Sequence, residues 1–199
     1  MPAPAITHLL YLHGFRSSPQ SAKARQVAAW MSSHRPEVAW WCPQLPASPA
    51  DAIALLEGGI AAWPHRTTGL IGSSLGGFYA TVLAERHGLR AALLNPAVDP
   101  ARDLADHLGE TTSFHGSDAF HFRPEFIGEL RSMTPLAITG HGRYFPVIAM
   151  GDEVLDAREM LARYAGCQGL TLAGGDHAIS DFYRHLPAVL RFLGLATSG

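Results

Sequence analysis

Lysine is almost missing from this chain: among 199 residues there are 15 lysines and arginines, and Lys23 is the only lysine. That excludes Schiff-base chemistry on any lysine but Lys23, which the pattern places in a polar, exposed helix. Cysteine is scarce too. Cys42 and Cys167 lie far apart with no repeated spacing, so neither a disulfide framework nor a zinc site is expected and both thiols read as reduced. No apolar run is long enough to span a membrane. The first apolar stretch has no basic residue before it and is interrupted by His8 and His13, so no signal peptide is read and a cytoplasmic protein is expected. Positive charge is not in excess. The formal net charge of -2 argues against a nucleic-acid or anionic-membrane partner. G-x-G-x-x-G, Walker and H-E-x-x-H patterns are absent, so no cofactor and no metal are expected. Nothing in the sequence sets an oligomeric state.

Hydrophobic residues make up 47% of the chain, enough for one domain over residues 1–199 with a sizeable core. Short apolar runs alternate with helix-patterned stretches. Strands are read at Ile6 to Leu12, Val38 to Cys42, Leu70-Ile71, Ala91 to Leu94, Tyr144 to Met150 and Leu170 to Ala173. A helix is expected from Ser18-Pro19, with Ser18 as its N-cap. Another begins at Pro49 with Ile53, Leu56 and Ile60 on one side, a third runs from Leu75 to a stop at Gly88, and the last spans Asp181 to Leu195 around Pro187. This rhythm predicts an α/β fold, a mostly parallel sheet with helices on both faces. Residues 100–142 break it. They hold His107, His115, His121 and His141 with Phe114, Phe120, Phe122 and Phe126. They read as an excursion over the active-site face that carries its own helices.

Gly72-Ser73-Ser74-Leu75-Gly76 follows an apolar run and opens a helix. In a G-x-S-x-G elbow a strand turns sharply into a helix, lifting the central hydroxyl above the sheet, and small residues two before and two after let neighbouring chain pass close by. Ser74 is therefore the candidate nucleophile; Ser73 lacks the flanking offsets. A serine hydroxyl needs a base, usually histidine, whose unperturbed pKa of about 6.5 suits neutrality. His177 follows the last strand in Gly174-Gly175-Asp176-His177 and is the base expected. The acid belongs after the preceding strand, where Asp152 fits best. Asp156 and Glu153 remain alternatives, although Asp156 also reads as a helix N-cap with Glu159 in the capping-box position. The order Ser74, Asp152, His177 is that of α/β-hydrolases. The oxyanion hole is expected from the backbone N–H groups of Leu75 and Phe15, the latter in His13-Gly14-Phe15-Arg16. His13 reads as a residue that orients this loop, and Asp176 as part of a surface turn.

The longer matches extend beyond these motifs. Tyr11-Leu12-His13-Gly14-Phe15 with Ser17-Ser18-Pro19, Pro43-Gln44-Leu45-Pro46, Gly72 to Gly77, Asn95-Pro96-Ala97, Gly151 to Asp156 and Gly174 to Ala178 together resemble the YqiA/YcfP family of small bacterial esterases, within the α/β-hydrolase superfamily. The resemblance implies an α/β-hydrolase fold without a large cap domain, esterase or thioesterase activity on small acyl substrates, and a catalytic pattern on Ser74, Asp152 and His177. Against that pattern Ile179 stands where an aromatic residue is expected, at the pocket edge. The same triad could instead serve perhydrolysis or C–C bond hydrolysis, or stand unused in a binding protein built on a hydrolase scaffold.

Overall fold

Six apolar runs pair side by side in the computed structural model, which describes residues 5–112 and 119–196. They are β1 (His8–Leu12), β2 (Ala39–Trp41), β3 (Thr68–Ser73), β4 (Arg90–Leu94), β7 (Tyr144–Ala149) and β8 (Leu170–Leu172). The sheet order is β2-β1-β3-β4-β7-β8, and every neighbouring pair is parallel. Parallel strands need crossovers, supplied here by α1 (Ala22–His34), α2 (Pro49–Ile60), α3 (Leu75–His87) and α6 (Ala157–Arg163). A last helix, α7 (Phe182–Phe192), follows β8.

Alternation along each strand feeds two cores. In β1, Leu10 and Leu12 face the side packed by α2 and α3, whereas Leu9 and Tyr11 face α1 and α7. In β4, Ala91 and Leu93 join the first core, and Ala92 and Leu94 join the second. Because both faces are covered, the strands read as continuous apolar runs rather than alternating ones. Helix α7 buries Phe182, Leu186, Val189 and Leu190, one stripe at helical spacing, and tolerates Pro187 within it.

The excursion has more structure than helices alone. It contains α4 (Pro100–Asp103), an antiparallel pair β5 (Gly109–Thr112) and β6 (Ala119–Phe122) that the sequence pattern does not predict, and α5 (Glu125–Met133). Phe122 and Phe126 are buried and anchor it to the first core. Glu129 of α5 accepts from Ser48 Oγ and the Ala50 N–H, both at 2.9 Å, which ties α5 to the start of α2. Phe114, His115 and the side chain of Phe120 lie outside the described residues.

One helix start differs from expectation. Ser18-Pro19 forms a turn in which Ser18 Oγ accepts from the Gln20 N–H at 3.1 Å, and α1 begins only at Ala22 after Ser21. Among the described residues no helix is long and apolar enough to cross a membrane. The strand order steps from β1 to β2 on one side and from β1 to β3 on the other. The crevice of such a sheet opens outside the carboxyl ends at this switch point, between the loops that follow β1 and β3.

Candidate active site

Ser74 sits at that crevice, between the end of β3 and the first residue of α3. Its φ of 55° and ψ of −121° are strained for a residue with a side chain, a cost of about 1–3 kcal/mol that only the surrounding structure can hold. Backbone bonds hold it. The Ser74 N–H donates to Leu94 O at 3.0 Å, and its carbonyl accepts from Gly77 N at 2.8 Å and Ala97 N at 3.1 Å. The elbow also needs room. A Cβ on Gly76 would lie 2.1 Å from the Leu12 carbonyl oxygen, so only glycine lets α3 start against the end of β1.

The loop after β8 returns His177 over Ser74. His177 Nε2 is 3.0 Å from Ser74 Oγ, and Nδ1 is 2.8 Å and 3.0 Å from the two Asp152 oxygens. A carboxylate only accepts, so Nδ1 carries the proton and Nε2 accepts from the serine hydroxyl. The loops approach closely because a Cβ on Gly151 would lie 2.3 Å from the Gly175 carbonyl oxygen. The Asp152 side chain is fully buried. Burial alone would raise its pKa, but the bond to His177 and two more from the Leu155 and Val154 N–H groups outweigh it and hold the carboxyl below its ordinary value.

The other acids face elsewhere. Asp156 caps α6 through the Arg158 N–H at 2.8 Å, and Glu153 accepts from the backbone N–H of His177 at 2.9 Å. Asp176 takes the Ser180 N–H and hydroxyl and closes the turn after His177.

A cavity of about 510 Å³ opens at Ser74 and His177, with Gly14, Phe15, Leu75, Leu104 and Leu155 among its walls. Leu75 opens α3, so its N–H is one of those a helix leaves without an intrahelical partner. The loop after β1 lies against the nucleophile: a Cβ on Gly14 would meet Ser74 Cβ at 3.2 Å. Buried His13 braces this loop, its Nδ1 3.0 Å from Gly14 O and its Nε2 accepting from the Leu45 N–H at 3.0 Å. Pro100, Asp103, Leu104 and His107 bring the excursion to the cavity, and the His107 ring packs 5.7 Å from that of Phe15.

Three residues take roles here that sequence patterns do not signal. Asn95 is fully buried at φ 42°. Its Oδ1 accepts from Ala149 N at 2.8 Å, and its Nδ2 donates to the Asp176 and His177 carbonyls at 3.1 Å and 3.2 Å. One side chain thus joins the loop after β4, the end of β7 and the histidine loop. Asn95→Ala orphans these groups at about 1–3 kcal/mol for each buried one, so a denaturant melt should show a clear loss of stability, with activity reduced. Glu153 is the second. Lys23 is the third: it lines the cavity and is not in a solvated helix face, and its ammonium donates to the Ala178 carbonyl. Ile179, by contrast, is not at the pocket edge. It is buried in the second core beside Phe182, at φ 48°. Among the described residues no group of three or more histidines, cysteines or acids could hold a metal ion.

The model of an uncharacterised protein family, UPF0227, matches residues 8–194. The chain belongs to this family. It is the YqiA/YcfP family that the sequence motifs resemble. Solved structures extend the comparison. A protein of Agrobacterium vitis S4 matches with a TM-score of 0.71 at 16% identity, over 96% of this chain and 91% of that one. Mouse alpha/beta hydrolase domain-containing protein 10 matches with a TM-score of 0.65 at 15% identity, over 94% and 90%. Est1E from Butyrivibrio proteoclasticus, solved with ferulic acid bound, matches with a TM-score of 0.64 at 16% identity, over 96% and 87%. At these identities the likeness speaks to the fold, and this UPF0227 member has the α/β-hydrolase fold.

Proposed function

We propose that this protein is a serine hydrolase that cleaves carboxylic esters or thioesters of small acyl substrates through an acyl-Ser74 intermediate. The observation that carries the reading is the position of His177, 3.0 Å from Ser74 Oγ on one side and 2.8 Å from Asp152 on the other. Ser74 Oγ attacks the acyl carbon while its proton moves to His177 Nε2. Asp152 holds the imidazole with Nδ1 protonated and stabilises the imidazolium. The N–H groups of Phe15 and Leu75 receive the developing oxyanion, each such donor worth about 3 kcal/mol. The imidazolium then protonates the leaving oxygen or sulfur, and water releases the acyl group by the same steps in reverse. Pro100, Asp103, Leu104 and His107 of the excursion supply the wall that selects the acyl group.

Turnover of phenyl esters and thioesters of graded acyl length tests the reading, and hydrolysis of none of them by folded protein would contradict it. The pH profile is a further check. The base works only as neutral imidazole, whereas Asp152, held below its ordinary value, stays ionised throughout. For an uncharged ester, kcat/KM should therefore be lost as the pH falls from neutral into the acid range, because protonation removes the base, with no separate loss from Asp152. A flat profile across that range would count against His177 as the base.

A further inference from the structure

Two cationic side chains, Arg16 and Lys23, line the cavity, and the hydrolytic mechanism uses neither. Lys23, the only lysine of the chain, lies in the first turn of α1 and lines the same cavity as Ser74 and His177. Both circumstances oppose a positive charge. The positive end of the helix dipole is there, and partial burial strips water from the ammonium. Among the described residues no carboxylate forms a close ion pair with Lys23. Asp176 and Asp152 act on it only at longer range, and among the described residues its hydrogen bond is to the Ala178 carbonyl. An ammonium has three donors, so two remain. The surroundings on this side are polar: Ser21, Ser73 and the buried Tyr11 line the cavity. Leu75, Leu104, Val154 and Leu155 make other parts of the wall apolar. The one acid among the lining residues, Asp103, is engaged by Arg102 at 2.7 Å.

Resting on the reading of Ser74 as the nucleophile, we propose that Lys23 forms an anion subsite, selecting esters or thioesters whose acyl or leaving group carries a carboxylate. An uncharged substrate offers the two remaining ammonium donors no charged acceptor. A carboxylate accepts from them in a partly desolvated setting, where a charge-assisted bond is strong.

The charge on this subsite titrates. Burial lowers the Lys23 pKa from 10.5 to about 8, against the opposing pull of Asp176 and Asp152. Those two carboxylates, His177 and the Tyr11 hydroxyl, whose burial pushes its own pKa far up, are the titratable groups on this side of the cavity, and Arg16 and Asp103 also line it. The subsite is therefore cationic below about 8 and loses its charge as pH rises through that value.

Two pairs of substrates test the proposal: phenyl hydrogen adipate against phenyl hexanoate, with the anion on the acyl side, and 3-carboxyphenyl butyrate against phenyl butyrate, with it on the leaving side. The readout is the ratio of kcat/KM, anionic over neutral. In one pair the wild-type ratio should be about tenfold or more near neutral pH, and that pair identifies the side that carries the anion. It should fall toward one in Lys23→Met, and in the wild type as pH rises above about 8. Lys23→Arg should keep the ratio at the higher pH, since a guanidinium stays charged there. Neutral esters turned over with ratios at or below one in both pairs would overturn the subsite and leave the hydrolase intact. A Lys23→Met variant that slows both members equally and preserves the ratio would overturn it too, making Lys23 a strap on the histidine loop. No turnover of any of the four esters by folded protein would overturn the hydrolase and the subsite together.

Discussion

Ser74→Ala is expected to lower kcat by up to about a million-fold, the scale on which a triad loses its nucleophile. The substitution removes one atom, Oγ, the proposed acceptor of the acyl group, 3.0 Å from His177 Nε2. It should leave the fold in place, because the structural duties of Ser74 belong to its backbone: the N–H bonded to Leu94 and the carbonyl bonded to Gly77 and Ala97. Alanine retains the Cβ and so the same strained φ. A steady-state assay and a denaturant melt on the same preparation check both halves. Large residual turnover would remove Ser74 from the mechanism, and a collapse of stability would mean that the hydroxyl itself holds the elbow.

Asp152→Asn is expected to lower kcat by about ten-thousand-fold with little change in shape. Asp152 Oδ1 accepts from the Val154 and Leu155 N–H groups at 2.8 Å and 2.9 Å, so an asparagine will keep its oxygen there. Its amide NH2 then faces His177 Nδ1. That ring nitrogen must accept, its proton moves to Nε2, and Nε2 can no longer take the proton of Ser74. The variant should fold, bind ester and turn over slowly. Asp156→Asn is the matched control. Asparagine caps a helix as well as aspartate does, and Asp156 serves α6 and not His177, so kcat should hold. If Asp156→Asn has the large effect and Asp152→Asn the small one, the acid is misassigned.

The motifs were legible because each lies at the carboxyl end of a strand that the apolar pattern reveals, and a parallel sheet gathers those ends on one edge. The choice among three neighbouring acids was open in the sequence, and the separate partners of Asp152, Glu153 and Asp156 divide them in space. What stayed hidden depends on contacts far along the chain. Nothing local to Lys23 says that residues 177–178 fold back over it, so the polar sequence around it reads as a solvated face. Asn95 ends a strand in a way that suits any turn, and its role appears only when three loops converge. Ser18-Pro19 carries a good helix-start signature, yet the chain spends it on a turn before Ser21. The resemblance alone puts Ile179 at the pocket edge; at φ 48° it packs instead in the second core with the residues of α7.

The most direct measurement is fluorophosphonate labelling of the wild type and Ser74→Ala, read by intact mass. An activated serine should take one adduct in the wild type and none in the variant. No adduct on folded wild-type protein, or one that persists in Ser74→Ala, would contradict a nucleophile at Ser74.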